Sequence, residues 1–187
     1  MKKILLVALL ALTSVAFVAA QPRAIGARLG WDPQFSYEHG LGNNMLSIEA
    51  GAFHNFHGVQ AAVTYDWIDP FGADVPWNER GEWHWYLGVG AGAGVFFWDH
   101  AHAAGVRAGN DYFYVGVAGR VGIEYDFWFP LQLSLDYRPV FGPGFDHYYT
   151  NAEGVHDNHT DVYFHGAYGD PLSIWVGGIA LSVRYKF

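Results

Sequence analysis

Histidine is the residue type whose placement in this chain first suggests chemistry. Of ten histidines, His54, His57, His100, His102, His147, His156 and His159 fall in segments that read as connections at one end of the fold, with Asp99, Asp146, Asp157 and Asp161 beside them. The segments Asp99-His-Ala-His102 and His156-Asp-Asn-His159 bring imidazole and carboxylate donors within a few residues of each other, a donor set suited to zinc or copper. His100, His102, His156 and His159 are therefore the candidate ligands of a surface zinc or copper site, and no other cofactor is expected. The same spacing also suits polar loop filler, because a tetrahedral site depends on loop paths that spacing does not determine.

A second trio, His165, Asp170 and Ser173, has the residue types of a hydrolase. Nucleophilic catalysis needs a base within hydrogen-bond reach of the nucleophile, and here neither a nucleophile-elbow motif nor a telling spacing supports one. The chain is read as not being an enzyme, with a lipid-modifying barrel hydrolase as the alternative.

The elements that must carry these residues follow from a period of two. Leu131, Leu133, Leu135 and Tyr137 alternate with Gln132, Ser134, Asp136 and Arg138. Val59, Ala61, Val63, Tyr65 and Trp67 alternate with Gln60, Ala62, Thr64 and Asp66. Two longer runs, from Trp83 and from Phe113, place glycines opposite the apolar face, and the last run sets Ile179, Leu181, Val183, Tyr185 and Phe187 against Ala180, Ser182, Arg184 and Lys186. The pattern predicts strands over 23–31, 34–41, 45–53, 58–68, 82–97, 112–126, 131–141 and 172–187, joined by tight turns at Trp31 to Pro33 and Gly42 to Asn44 and by long loops at 98–111 and 142–171. An even number of antiparallel strands brings both termini to one end.

Residues 1–20 stand apart: Lys2 and Lys3 precede an apolar run from Ile4 to Ala20 that ends in small residues, as a secretory signal peptide does. Residues 21–187 then form one barrel domain. Without Lys2 and Lys3 the formal net charge of −8 becomes −10, which disfavours nucleic acid as a partner. There is no cysteine, so disulfides cannot hold an exported domain together. Aromatic residues make up 18% of the chain and charged residues only 15%, and no later apolar run is long enough for a helical membrane span.

Alternation does not say which face is inside. Three features favour apolar side chains outside. Aromatics gather near strand ends in two groups, Trp67, Trp83, Trp85, Tyr125, Trp128, Tyr185 and Phe187 at one end and Trp31, Phe97, Trp98, Phe113, Phe141 and Trp175 at the other, as at the two boundaries of a bilayer. The polar face mixes Arg28, Arg120, Arg138, Arg184 and Lys186 with Glu38, Glu49, Asp66, Glu124, Asp126 and Asp136, so its charges can pair in a narrow interior. The chain also stops at Phe187, with Tyr185, Val183 and Leu181 at period two before it.

With the strand pattern, the stretch Gly122-Ile-Glu-Tyr125 leading to Pro130-Leu-Gln-Leu-Ser-Leu-Asp-Tyr-Arg-Pro139, and the ending Val183-Arg-Tyr-Lys-Phe187, the chain resembles the small eight-stranded outer-membrane barrels that include outer membrane proteins A, X and W. The resemblance covers residues 21–187 and implies an all-β, eight-stranded antiparallel up-and-down transmembrane β-barrel in a Gram-negative outer membrane. It also implies lipid and the barrel assembly machinery, acting through Phe187, as partners, and a monomer. Such motifs identify architecture rather than activity. The role expected is structural or surface-interacting. The alternatives are a loop-borne binding module for a metal or a surface ligand, with Phe145, Tyr148, Tyr149 and Tyr163 available for stacking, and passage of small or hydrophobic solutes. A wide porin-like channel is not expected, because eight strands enclose a space that side chains fill.

Overall fold

A computed structural model of the chain describes residues 21–52, 58–70, 80–101, 107–150, 156–164 and 178–187. Residues 1–20, expected to be a signal peptide, lie outside them. Among the described residues all regular structure is β: β1 (Gln21–Gly30), β2 (Gln34–Leu41), β3 (Asn44–Ala52), β4 (Gly58–Pro70), β5 (Gly81–Ala101), β6 (Arg107–Phe127), β7 (Gln132–Tyr137), β8 (Val140–Thr150), β9 (His156–Phe164) and β10 (Ile179–Lys186). Every pairing is antiparallel, and the hydrogen-bonded order β5-β4-β3-β2-β1-β10-β7-β6 closes on itself through β5 and β6. The result is a closed eight-stranded up-and-down barrel, with β8 continuing β7 and β9 as an extra strand. The first and last strands pair, Ala24 opposite Lys186, which puts both ends of the barrel domain at one rim.

The faces follow the alternation. Val117 is 61% exposed and Leu135 49%, whereas Arg120, Glu124 and Asp136 on the intervening positions are buried. β-Branched and aromatic residues stand well on a pleated outer surface, and small residues on the opposite positions leave room in the lumen. The β2–β3 hairpin turns on two residues, and its first, Gly42, has φ 67°. Both favoured two-residue hairpin turns need a positive φ at that position. Inside the barrel Gly122 matters for space rather than for backbone conformation. A Cβ there would lie 2.5 Å from the Tyr86 ring and 2.8 Å from Asp136 Cβ. The missing side chain is the socket into which Tyr86 reaches.

The predicted strand 131–141 is broken. Pro139 has no N–H for a ladder. Below it β7 lies between β6 and β10, with Tyr137 opposite Ile179; beyond it β8 stays on β6 but takes β9 as its other neighbour. The break is kept in register by the Gly119 N–H donating to the Pro139 carbonyl at 3.0 Å. The long loops expected at 98–111 and 142–171 are largely strand instead: β5 and β6 remain paired up to Ala101 and Arg107, and β8 and β9 form a hairpin from Phe141 opposite Phe164 to Tyr149 opposite His156. Main-chain hydrogen bonds hold such a ladder without an apolar face, so polar sequence does not end it. Strands β5, β6, β8 and β9 therefore rise past the rim as a wall. The last strand begins at Ile179, and 172–177 of its predicted span lie outside the described residues.

The socket at Gly122 is directly testable. Gly122→Val forces Tyr86 and Asp136 to move, and overpacking of this kind costs about 1–3 kcal/mol. We expect a lower urea midpoint for the refolded barrel, followed by tryptophan fluorescence, while Gly122→Ala shows a smaller loss. A midpoint unchanged by both substitutions refutes the close packing.

Candidate functional site

Each of the eight barrel strands sends a polar side chain into one cluster across the lumen. Arg28 comes from β1, Glu38 from β2, Glu49 from β3, Asp66 from β4, Tyr86 from β5, Arg120 from β6, Asp136 from β7 and Arg184 from β10, with Arg138 at the β7–β8 break. A charge taken from water into such an interior is tolerated only when it is paired and hydrogen-bonded. Four arginines here meet four carboxylates.

Arg120 is the hub. Its guanidinium lies 3.0 Å from Asp66, 3.2 Å from Asp136, 3.3 Å from Glu49 and 3.9 Å from Glu38. It also donates to the Ser47 hydroxyl and packs over the Tyr86 ring at 4.7 Å. Through one side chain it thus reaches β2, β3, β4, β5 and β7. Arg184 sits beside it, 3.1 Å from Glu38, and donates to Ser36 at 2.9 Å, Ser134 at 2.7 Å and Gln132 at 3.2 Å. Arg28 is bound to Asp136 at 2.6 Å and donates to the Gly178 carbonyl at 2.8 Å. Arg138 is 2.7 Å from Glu49 and donates to the Gln34 side-chain carbonyl at 2.8 Å.

A second tier lies nearer the rim that carries the termini. Arg23 pairs with Glu38 at 2.9 Å and with Asp126 at 3.4 Å, and it makes a short contact with Glu124. Lys186 lies 3.7 Å from Asp126 and donates to the Phe127 carbonyl at 2.8 Å. His84 faces Glu124 at 3.6 Å and Asp126 at 3.8 Å. The donor atoms of His84, Glu124 and Asp126 fall within 4.8 Å of one another, the span a metal ion bridges. The Arg23 guanidinium, however, already bonds both carboxylates, so a fixed cation stands where an ion would sit, and the cluster is an ion-pair network. Glu38 links the tiers by accepting from Arg23 below and pairing with Arg184 above.

The residues predicted to line the interior, Arg28, Arg120, Arg138, Arg184, Lys186, Glu38, Glu49, Asp66, Glu124, Asp126 and Asp136, are thus brought together. Arg23 was missed, because alternation assigns it to the outer face with Ile25 and Ala27. A register shift between Pro22 and Ala24 reverses its direction, and a bulge of this kind leaves no period-two signal. Of the candidate metal ligands, His102 lies outside the described residues. The side chains of His100, His156 and His159 lie outside them too; their backbone places His100 on β5 opposite Ala108, and His156 and His159 on β9 opposite Tyr149 and Asp146. His165, Asp170 and Ser173 are also outside the described residues. His147 is exposed on β8, opposite Asp111 of β6.

This arrangement balances the charges buried across the lumen. Removing its hub strands carboxylates among themselves, and breaking a buried ion pair in this way costs about 3–5 kcal/mol. Arg120→Met is expected to lose stability of that order in urea unfolding of the refolded protein, and Arg120→Met combined with Asp66→Asn to regain part of it. Equal midpoints for the parent and Arg120→Met disprove the hub. No protein-family model matches this chain, nor does any curated protein or solved structure.

Proposed function

We propose that this chain is an integral outer-membrane β-barrel protein with a structural or surface-interacting role and no open pore. The observation that carries the proposal is the inversion of its faces. Val63, Leu87, Val89, Val115, Val117, Val121, Ile123, Leu135, Leu181 and Val183 are exposed around the barrel, while its arginines and carboxylates are buried. An apolar surface this continuous exceeds what soluble monomers expose and matches the lipid-facing band of a membrane barrel.

The height of the band agrees with this. On β6, Tyr125 and Phe113 stand twelve residues apart, about 40 Å along the strand at ~3.3 Å per residue. At a strand tilt of about 40° this is about 30 Å along the barrel axis, enough to frame an apolar band about 25 Å tall with an aromatic row at each boundary. Trp67, Trp85, Trp128, Phe129 and Tyr185 are exposed near the end that carries the termini, and Trp31, Phe35, Phe97 and Phe141 towards the other. Export by the 1–20 segment, assembly through the Phe187 ending and a monomeric state belong to the same proposal. The filled lumen weighs against free diffusion of solutes, and the wall of β5, β6, β8 and β9 favours surface contact as the activity.

Two measurements test the proposal. Membrane-extracted protein is expected to migrate differently on gels before and after heating, as folded barrels do, and to fractionate with outer membrane. Val121→Arg, which puts a charge near the middle of the band, is expected to cost about 2–4 kcal/mol in folding into lipid vesicles, whereas Tyr185→Arg at the boundary costs about 0–1 kcal/mol. Recovery of the protein free in the periplasm, or equal costs for the two substitutions, defeats the reading.

A further inference from the structure

The inner face of the wall differs in chemistry from the outer one. Phe96 of β5, Tyr112 of β6 and Asp146 of β8 stand opposite one another in a single row. Directly opposed residues on antiparallel strands share one side of the sheet. On β6 that side also carries Tyr114, Ala118 and Arg120, all buried, so the row faces inward over the mouth of the barrel. The Phe96 ring lies 6.1 Å from that of Tyr112 and 6.3 Å from that of Tyr114. One step nearer the hub, the Tyr114 hydroxyl donates to the Gln60 side-chain carbonyl at 3.4 Å, and Gln60 donates to Asp32 at 2.9 Å, which gives the row a polar floor. Tyr112 and Tyr114 are buried, whereas Phe96 and Asp146 keep part of their surface open. Among the described residues neither a hydrogen bond nor an ion pair reaches the buried Oδ1 of Asp146.

We propose that this part of the mouth binds a small organic amine, its primary ammonium against Asp146 and its apolar body against Phe96 and Tyr112. The inference goes beyond the outer-membrane reading and needs only the closed barrel. The carboxylate carries it. A buried anionic oxygen without a donor forfeits its hydration and gains nothing in exchange. Glu38, Glu49, Asp66 and Asp126 also hold oxygens without a hydrogen bond, but each of them faces an arginine or lysine at 3.7 Å or less. Asp146 has no such cation among the described residues, and Arg138, at the near edge of the hub, is held by Glu49 and Gln34. An ammonium brings the missing charge and the missing donor together, with three N–H groups. The neighbouring rings suit the same ligand in two ways: they cover its hydrocarbon part, and their faces attract the cation. A neutral ligand of the same shape gains the apolar contact alone, and an anionic one is repelled by Asp146. The formal net charge of −8 draws cations towards the chain.

The test is isothermal titration of the full chain refolded in detergent with phenethylamine, with phenethyl alcohol and hydrocinnamate as its neutral and anionic counterparts. His159 stands opposite Asp146 on β9. The solution is therefore held at about pH 8, where an ordinary imidazole is neutral and an alkylammonium is still charged. One phenethylamine is expected to bind per chain, roughly tenfold more tightly than the alcohol, because hydrogen bonds between charged groups are the stronger kind. Hydrocinnamate should bind more weakly than either. Asp146→Asn should abolish the preference for the amine, and Phe96→Ala should weaken amine and alcohol alike by roughly tenfold. Heat-modifiable mobility of each variant confirms that the barrel has formed. The urea midpoint of Asp146→Asn without ligand should equal or exceed that of the parent, since the substitution removes a buried charge that lacks a partner. Equal affinity for amine and alcohol, a preference that survives Asp146→Asn, or a lowered midpoint for that variant overturns the amine site while leaving the membrane reading intact.

Discussion

Charge neutrality in a narrow, water-poor lumen is the condition that the remainder of this structure satisfies. Once the outward positions are given to Val, Leu and aromatic residues, the inward positions of the same strands must hold whatever is polar. Eight strands leave too little space for bulk water to solvate it. Arg28, Arg120, Arg138 and Arg184 are matched there by Glu38, Glu49, Asp66 and Asp136, and the lower tier matches Arg23 and Lys186 with Glu124 and Asp126. Small neighbours such as Ser36, Ser47 and Gly122 provide the room and the extra hydrogen bonds that let long arginines cross the interior. The wall and the filling are thus two sides of one alternating pattern.

How much of this can be read directly from the chain depends on whether the signal is local. Strands such as 34–41 and 58–68 announce themselves because one face is lipophilic and the other small or charged, and β2 and β4 fall there. The membership of the interior network follows from the same parity. Arg23 escaped because a bulge reverses parity without changing composition. The exchange of neighbours at Pro139 is a tertiary event: the proline marks a defect in a ladder, but nothing nearby says that β9 will replace β10 as the strand beside β8. Polar stretches around Asp111 and Asp146 read as loops for the same reason, since main-chain pairing has no side-chain signature.

The histidines show the same limit from the functional side. Their clustering is visible in the chain, but a ligand set is a statement about distances between loops. In the described residues the cation-bearing chemistry is found elsewhere, at the rim with the termini, where Arg23 serves Glu124 and Asp126. The hydrolase residue types likewise acquire no meaning from proximity in sequence alone.

The unequal length of the strands has a mechanical consequence. β6 runs unbroken from Phe127 at the lower rim, past Arg120 at the hub, to Arg107 at the top of the wall, and β5 is paired with it over that whole length. The hairpin therefore behaves as a stiff beam clamped at its middle by the guanidinium of Arg120. Load applied to its outer tip meets no break in the ladder at the rim and passes down the same pair of strands to the ionic contacts in the lumen, so that the tip of the wall and the firmness of the filling are tied to a single rigid element.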